Sequence, residues 1–185
     1  IVGGSKGIGE AIIEKLIPNY LIINLSRSKP HIEHQNLTHY NCDILSDELP
    51  AIDSAGGLIY CPGSINLKPF KRLSLDDFRT DFEINVIGAV RSIQAYAPAL
   101  VQSENGSIVL FSTVATAMGM PFHASVSTAK SAVEGLMKSV AADLAPKVRV
   151  NAIAPTITQT DLAAKLLRNE RMIENTIQRH PLKKF

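Results

Sequence analysis

The first residues able to do chemistry are a cluster of glycines: Gly3, Gly4, Gly7 and Gly9, with Ser5, Lys6 and Ile8 among them. They follow an apolar start and precede Glu10 to Ile17, in which Ile8, Ala11, Ile12 and Leu16 recur at helical spacing. Strand, turn and amphipathic helix are therefore expected in that order. Such a turn lets the backbone approach a diphosphate closely, and the helix start offers free N–H donors and a favourable dipole. An ordinary glycine-rich loop is the competing reading of this segment alone. No metal chemistry is expected, because His31, His34, His39 and His180 are scattered and no paired Cys/His spacing is present.

The elements that must position this turn alternate along the chain. Short strands are expected at Tyr20 to Leu25, Leu37 to Cys42, Gly57 to Cys61, Ser107 to Phe111 and Val148 to Ala154. Helices fill the intervals. One starts near Ser74, where Ser74 and Asp77 form a capping box, and runs toward Leu100; another spans Lys130 to Leu144 with Val133, Leu136, Met137, Val140 and Leu144 inward. This alternation predicts one α/β domain over residues 1–185, a doubly wound parallel sheet with helices on both faces. In that order Cys42 and Cys61 lie about three strand spacings apart, roughly 14 Å, too far for a disulfide.

Composition narrows the function classes. With 45% hydrophobic residues, 19% charged and a net charge of +2, the 185 residues can bury a sizeable core and have no charge bias toward nucleic acid. No apolar stretch approaches a membrane span and no leader is evident, so a cytoplasmic location is expected. The chain starts at Ile1 without an initiator methionine and stops at Phe185 after a basic and apolar segment. Both ends are expected to be incomplete, with a C-terminal strand missing.

Taken together, the turn Gly3 to Gly9, Asp43 after the third strand, Asn85 in the long helix, Gly106-Ser107-Ile108-Val109, Lys130 and Val150-Asn151-Ala152-Ile153-Ala154-Pro155 resemble the short-chain dehydrogenase/reductase family in order and spacing. The resemblance implies a Rossmann-type fold that binds NAD or NADP, acts on a small molecule and assembles as a homo-oligomer, dimer or tetramer. The helix from Ser74 to Leu100 and the one after Val126 are the expected contact faces.

Within that resemblance, charge selects the cofactor. An NAD site places a carboxylate on the ribose 2′-hydroxyl, whereas the 2′-phosphate of NADP needs cations. The second strand ends Asn24-Leu25-Ser26-Arg27-Ser28 without an acid. Arg27 can pair with the phosphate, Ser26 or Ser28 can add a hydroxyl, and Lys6 can approach from the turn, so NADP is preferred. Two solvated surface cations are the alternative. Asp43, with the Ile44 backbone, would take the adenine, or else serve as a turn cap. Gly63, Pro155 and Thr160 complete the expected cofactor set with Gly3, Ser5, Lys6, Gly7, Ile8 and Gly9.

The family's catalytic Asn, Ser, Tyr and Lys correspond here to Asn85, Thr113, Val126 and Lys130, so the proton-donating phenol is replaced by an aliphatic side chain. Val2, Tyr60-Cys61-Pro62-Gly63 and Thr156 also depart from the usual Thr, Asn-Asn-Ala-Gly and Gly. General acid catalysis contributes ~10²- to 10⁴-fold, so carbonyl reduction should be slow. Three readings follow. His123, seven residues before Lys130, or Tyr60 substitutes as acid. Alternatively, a conjugated C=C bond is reduced, with Thr113 and Lys130 stabilising the enolate; the 2,4-dienoyl-CoA reductases resemble this chain in lacking tyrosine at the Val126 slot while retaining the lysine. In the third, the chain is an NADP(H)-binding sensor or scaffold that has lost turnover. Residues 156–185 are the expected substrate lid, in which Leu162, Leu166, Leu167, Ile173 and Ile177 form an apolar set, although a helix packing plainly on the domain fits the same pattern.

Overall fold

In the computed structural model, which describes residues 1–184, the strands are β1 (Ile22–Ser26), β2 (Leu37–Asn41), β3 (Gly57–Ile59), β4 (Gly106–Phe111) and β5 (Val148–Ile153). All pair in parallel, β1 with β2 and β3 with β4 with β5. The opening segment joins the two groups through a single residue. Val2 N–H donates to Ile59 O at 2.9 Å and Val2 O accepts from Cys61 N–H at 3.0 Å. On its other side, Gly3 N–H donates to Leu25 O at 2.8 Å and Leu25 N–H to Ile1 O at 2.9 Å. The order is thus β2, β1, Val2, β3, β4, β5. Its direction reverses between Val2 and β3, which is where doubly wound sheets open a ligand crevice.

Each face of the sheet carries its own core. On one, Ile13 and Ile17 from the end of α1 (Gly7–Leu16) pack with Ile22. The inward stripe is Gly9, Ile13 and Ile17 rather than Ile8, Ala11, Ile12 and Leu16, because a Cβ at Gly9 would stand 2.3 Å from Gly3 O and that contact fixes the helix rotation. On the other face, Leu25, Leu58, Ile108 and Leu110 meet Ile93 and Leu100 of α3 (Gly88–Val101) and Ala129 and Val133 of α5 (Ala124–Leu144). Leu100, Ile108 and Leu110 are fully buried, and cutting any of them to alanine costs about 2–5 kcal/mol.

Two helices differ from expectation in ways that shape the site. The segment after Ser74 keeps its capping box, with Ser74 Oγ accepting from Asp77 N–H, but divides into α2 (Leu75–Phe82), a π turn at Glu83–Ile87, and α3. Two side chains compete for carbonyls there. Asn85 Nδ2 donates to Asp81 O at 2.7 Å and Tyr60 OH donates to Ile84 O at 2.5 Å, which widens the turn. Helix α5 begins six residues earlier than expected, because Ser125, Val126 and Ala129 bury a face continuous with Val133 and no breaker intervenes. Val126 and Lys130 therefore share one rigid helix. The short α4 (Ala115–Met118) precedes it, and α6 (Glu170–Arg179) follows a 3₁₀ turn at Asp161–Leu166. Cys42 and Cys61 are both free thiols. Among the described residues no helix is long and apolar enough to cross a membrane, and no cluster of metal-ligating groups is present.

Candidate functional site

At the β1 side of the crevice the surface is made of backbone. Gly3 adopts φ +77°, a left-handed conformation that favours glycine, and lies against Pro62 from the turn after β3. Asn24, fully buried in β1, accepts from Gly4 N–H at 2.9 Å and donates to Ser26 Oγ at 3.0 Å, so a polar residue inside an apolar strand braces the turn. Lys6 is the N-cap of α1 and contributes no side-chain cap. The first N–H groups of the helix, at Gly7, Ile8 and Gly9, keep the donor capacity that suits a diphosphate. With Gly9 allowing the helix to pack against Gly3, the cradle fits a dinucleotide pyrophosphate.

Ser5, Ser28 and Arg27 gather at the next station. Ser28 Oγ donates to Ser5 Oγ at 3.1 Å, and Arg27 is exposed at the end of β1 with its carbonyl accepting from Asn41 Nδ2 at 3.4 Å. Lys6 Nζ lies 3.9 Å from Asp161, a loose exposed pair. Asp43 Oδ1 accepts from Leu45 N–H at 3.0 Å, so it acts as a turn cap; Ile44 is buried and its carbonyl accepts from Arg91 at 2.8 Å. Thr160 packs against Gly7, with Thr160 Oγ1 accepting from Ala163 N–H at 3.4 Å, and the carbonyl of Pro155 accepts from Val114 N–H at 3.2 Å. The start of the 156–184 segment thus sits on the mouth of the glycine turn. Further along, Leu166, Leu167, Ile173 and Ile177 are half-buried and Leu162 is 50% exposed, so their apolar set is only partly covered.

Side chains make the other end. Lys130 Nζ donates to Phe111 O at 2.7 Å, and burial pushes its ammonium down to about 8, an effect that Cys61 and Asp81 oppose. A Cβ placed on Gly63 would lie 3.2 Å from Asn85 Oδ1 and 3.6 Å from Lys130 Nζ, so the two functional groups flank that glycine. Burial also pushes the Cys61 thiol up to about 12. Thr113 follows β4 with its Oγ1 accepting a long bond from Ala115 N–H at 3.3 Å. A carboxylate steadies this loop. Glu134 accepts from Ser112 Oγ and, at 2.9 Å, from Thr116 Oγ1, bonds that hold it below the ordinary carboxylate value, while Thr116 Oγ1 also lies 2.8 Å from Thr113 O.

The candidate acids are placed elsewhere. Val126 is buried at 5% exposure and has nothing to donate. The Tyr60 hydroxyl points into the π turn toward Ile84 O, and its burial raises its pKa, so it is not directed into the crevice. His123 Nδ1 lies 2.7 Å from Pro121 O, and the ring lines a surface cavity of about 330 Å³ with Lys68, Phe70, Met120 and Phe122. Thr113, Asn85 and Lys130 are not in that lining. The structure therefore brings Asn85 and Lys130 together and leaves His123 outside their cluster. Sequence reasoning missed Asn24, Ser64, Asp81 and Glu134. Asp81 had a signal: it stands one helical turn before Asn85, on an inward position.

Known proteins match this arrangement. The family model described as Enoyl-(Acyl carrier protein) reductase matches residues 46–185. The 2,5-dichloro-2,5-cyclohexadiene-1,4-diol dehydrogenase of Sphingobium indicum is 28% identical over 210 residues, covering 100% of this chain and 82% of the relative. Carbonyl reductase [NADPH] 2 of Sus scrofa is 25% identical over 198 residues, covering 100% and 81%. Ligand-free aldohexose dehydrogenase of Thermoplasma acidophilum superposes with a TM-score of 0.89 at 26% identity, covering 100% of this chain and 79% of that one. The chain belongs to the short-chain dehydrogenase/reductase family of oxidoreductases and has its Rossmann-type fold.

Proposed function

We propose that the chain binds NADP(H) and catalyses hydride transfer to a conjugated C=C bond or a carbonyl of a small apolar substrate, with an altered proton-donating step. The observation that supports this reading is that Asn85 Oδ1 and Lys130 Nζ flank Gly63, at the strand ends that also carry the glycine turn. When bound there, the nicotinamide would supply the hydride. Gly3, Gly7, Ile8 and Gly9 would hold the pyrophosphate, Arg27, Ser5 and Ser28 the 2′-phosphate, and Lys130 the nicotinamide ribose. Gly63, Pro155 and Thr160 would border the same ligand.

The preference for NADP rests on the exposed Arg27 and the absence of an acid at the end of β1, and it agrees with the cofactor in the name of the pig relative. Asp43 contributes as the cap that shapes the adenine side. At the reacting end, Thr113 Oγ1 donates to the carbonyl oxygen of a conjugated acceptor, and the charge of Lys130 stabilises the enolate that develops on that oxygen. Water then protonates the carbon. A C=C acceptor suits these residues better than a ketone, because Val126 leaves an alcohol as the nearest acid, and the matching family model is that of an enoyl reductase. Residues 156–184 form the lid, and an oligomer assembled on α3 and α5 belongs to the same reading, checked by sedimentation.

A second reading has its own observation. Tyr60 OH donates to Ile84 O, His123 Nδ1 lies against Pro121 O and Val126 has no proton to give, which suits a protein that binds NADP(H) without turnover. Monitoring NADPH consumption over enoyl thioesters, quinones and ketones separates the two. Consumption with an enoyl thioester is expected; saturable NADPH binding with no consumption across the panel would support the sensor instead.

A further inference from the structure

Beneath the catalytic cluster lies a carboxylate that the reaction just described does not use. Asp81 of α2 is fully buried. Its Oδ1 accepts from Ser64 Oγ at 2.5 Å and from Asn66 Nδ2 at 3.0 Å, while its Oδ2 has no partner. Asn85, 1% exposed, donates through Nδ2 to Ser64 Oγ at 3.1 Å, and its Oδ1 is likewise without a partner. Two orphaned oxygens in one buried cluster are costly unless a positive group faces them. Asn85 Oδ1 and Lys130 Nζ flank the same glycine, Gly63, next to Ser64.

We propose that Asp81 is the positioning residue of this site: through Ser64 it orients Asn85, and across the Gly63-Ser64 backbone its charge keeps Lys130 an ammonium at the nicotinamide end of the crevice. The proposal rests on the reading of that crevice given above and adds a residue outside the family set of Asn, Ser, Tyr and Lys. The titratable groups facing Lys130 are Cys61, from the turn after β3, and Asp81, from α2. Both oppose the desolvation of the lysine, Cys61 the more, but burial pushes the Cys61 thiol up to about 12, so Asp81 is the carboxylate of the two. In a chain lacking the phenol, an ammonium held charged is the remaining strong electrostatic device at the reacting end.

The test is the titration of the Lys130 Nζ resonance in cofactor-free protein labelled with ¹⁵N-lysine, comparing the wild type with Asp81→Asn. The expected midpoint is near pH 8 in the wild type and lower in the variant. The pH above which NADPH affinity falls should move down with it. An unchanged midpoint in folded Asp81→Asn would overturn the proposal. Should that variant not fold, Asp81→Ser, which leaves room for water, takes its place with the same two outcomes. Because the resonance is read without dinucleotide, its failure removes only the role of Asp81, whereas failure of the wild type to bind NADPH removes the reading of the crevice.

Discussion

At the α1 end of the crevice the surface is backbone, set by glycines and by one buried asparagine, whereas at the α5 end it consists of side chains. A backbone cradle depends on residues that are small, and each departure is punished through the fold itself. A side-chain site can exchange one member and keep its frame. On the reading proposed above, the contrast separates a diphosphate end made of backbone from a reacting end made of the side chains of Asn85, Thr113 and Lys130.

The sharpest way to probe the difference is to place a phenol on α5 one helical turn before Lys130. Val126→Tyr should raise NADPH-dependent carbonyl reduction by about 10²- to 10⁴-fold, the usual worth of a general acid. No gain, in a variant that still binds NADPH, would mean that residue 126 does not face the reacting carbon. The complementary change at the other end is Gly9→Ala. Its Cβ would stand 2.3 Å from Gly3 O, so stability in urea should drop by about 1–3 kcal/mol and NADPH binding should disappear with the cradle. Retained binding would show that the turn tolerates a side chain and is not the phosphate site.

Smaller effects refine the picture. Arg27→Ala should weaken NADPH by about tenfold and leave NADH unchanged, as expected for the loss of one charge-assisted phosphate contact. Equal loss for both would place Arg27 away from the 2′-phosphate. The mildest effect is that of pH. Lys130, lowered to about 8 in the folded chain, loses its proton as pH rises through that value, so NADPH affinity should fall a few-fold between pH 7 and pH 9. Stability should not fall with it. Between about 8 and 10.5 the unfolded chain holds the lysine proton and the folded chain does not, so this group adds stability as pH rises through that window. Parallel decline of both quantities would instead indicate general unfolding.

The same contrast governs what could be read from the sequence. The strands, the parallel α/β class and the capping box at Ser74 follow from local periodicity and turn chemistry, and the structure has them. The glycine turn was legible for the same reason: it is local. The π turn was not, because it depends on Tyr60 arriving from β3, 24 residues away, to take the carbonyl of Ile84. Periodicity also misjudged the rotation of α1, which is decided by the contact of Gly9 with Gly3 rather than by hydrophobic spacing. Offset from Lys130 suggested His123 as an acid, and what spacing could not give is its surroundings, Pro121 O and the cavity beside Phe122. Spacing could have placed Asp81 on the face of Asn85, but the contacts of Asp81 with Ser64 and of Glu134 with Ser112 depend on packing between segments distant in sequence.

Titration of the folded wild-type protein with NADPH and with NADH, followed by nicotinamide fluorescence, tests the central claim most directly. Saturable binding of NADPH at one site per chain, tighter than that of NADH, is the predicted result. Absence of binding by either dinucleotide would contradict the account from the glycine turn onward.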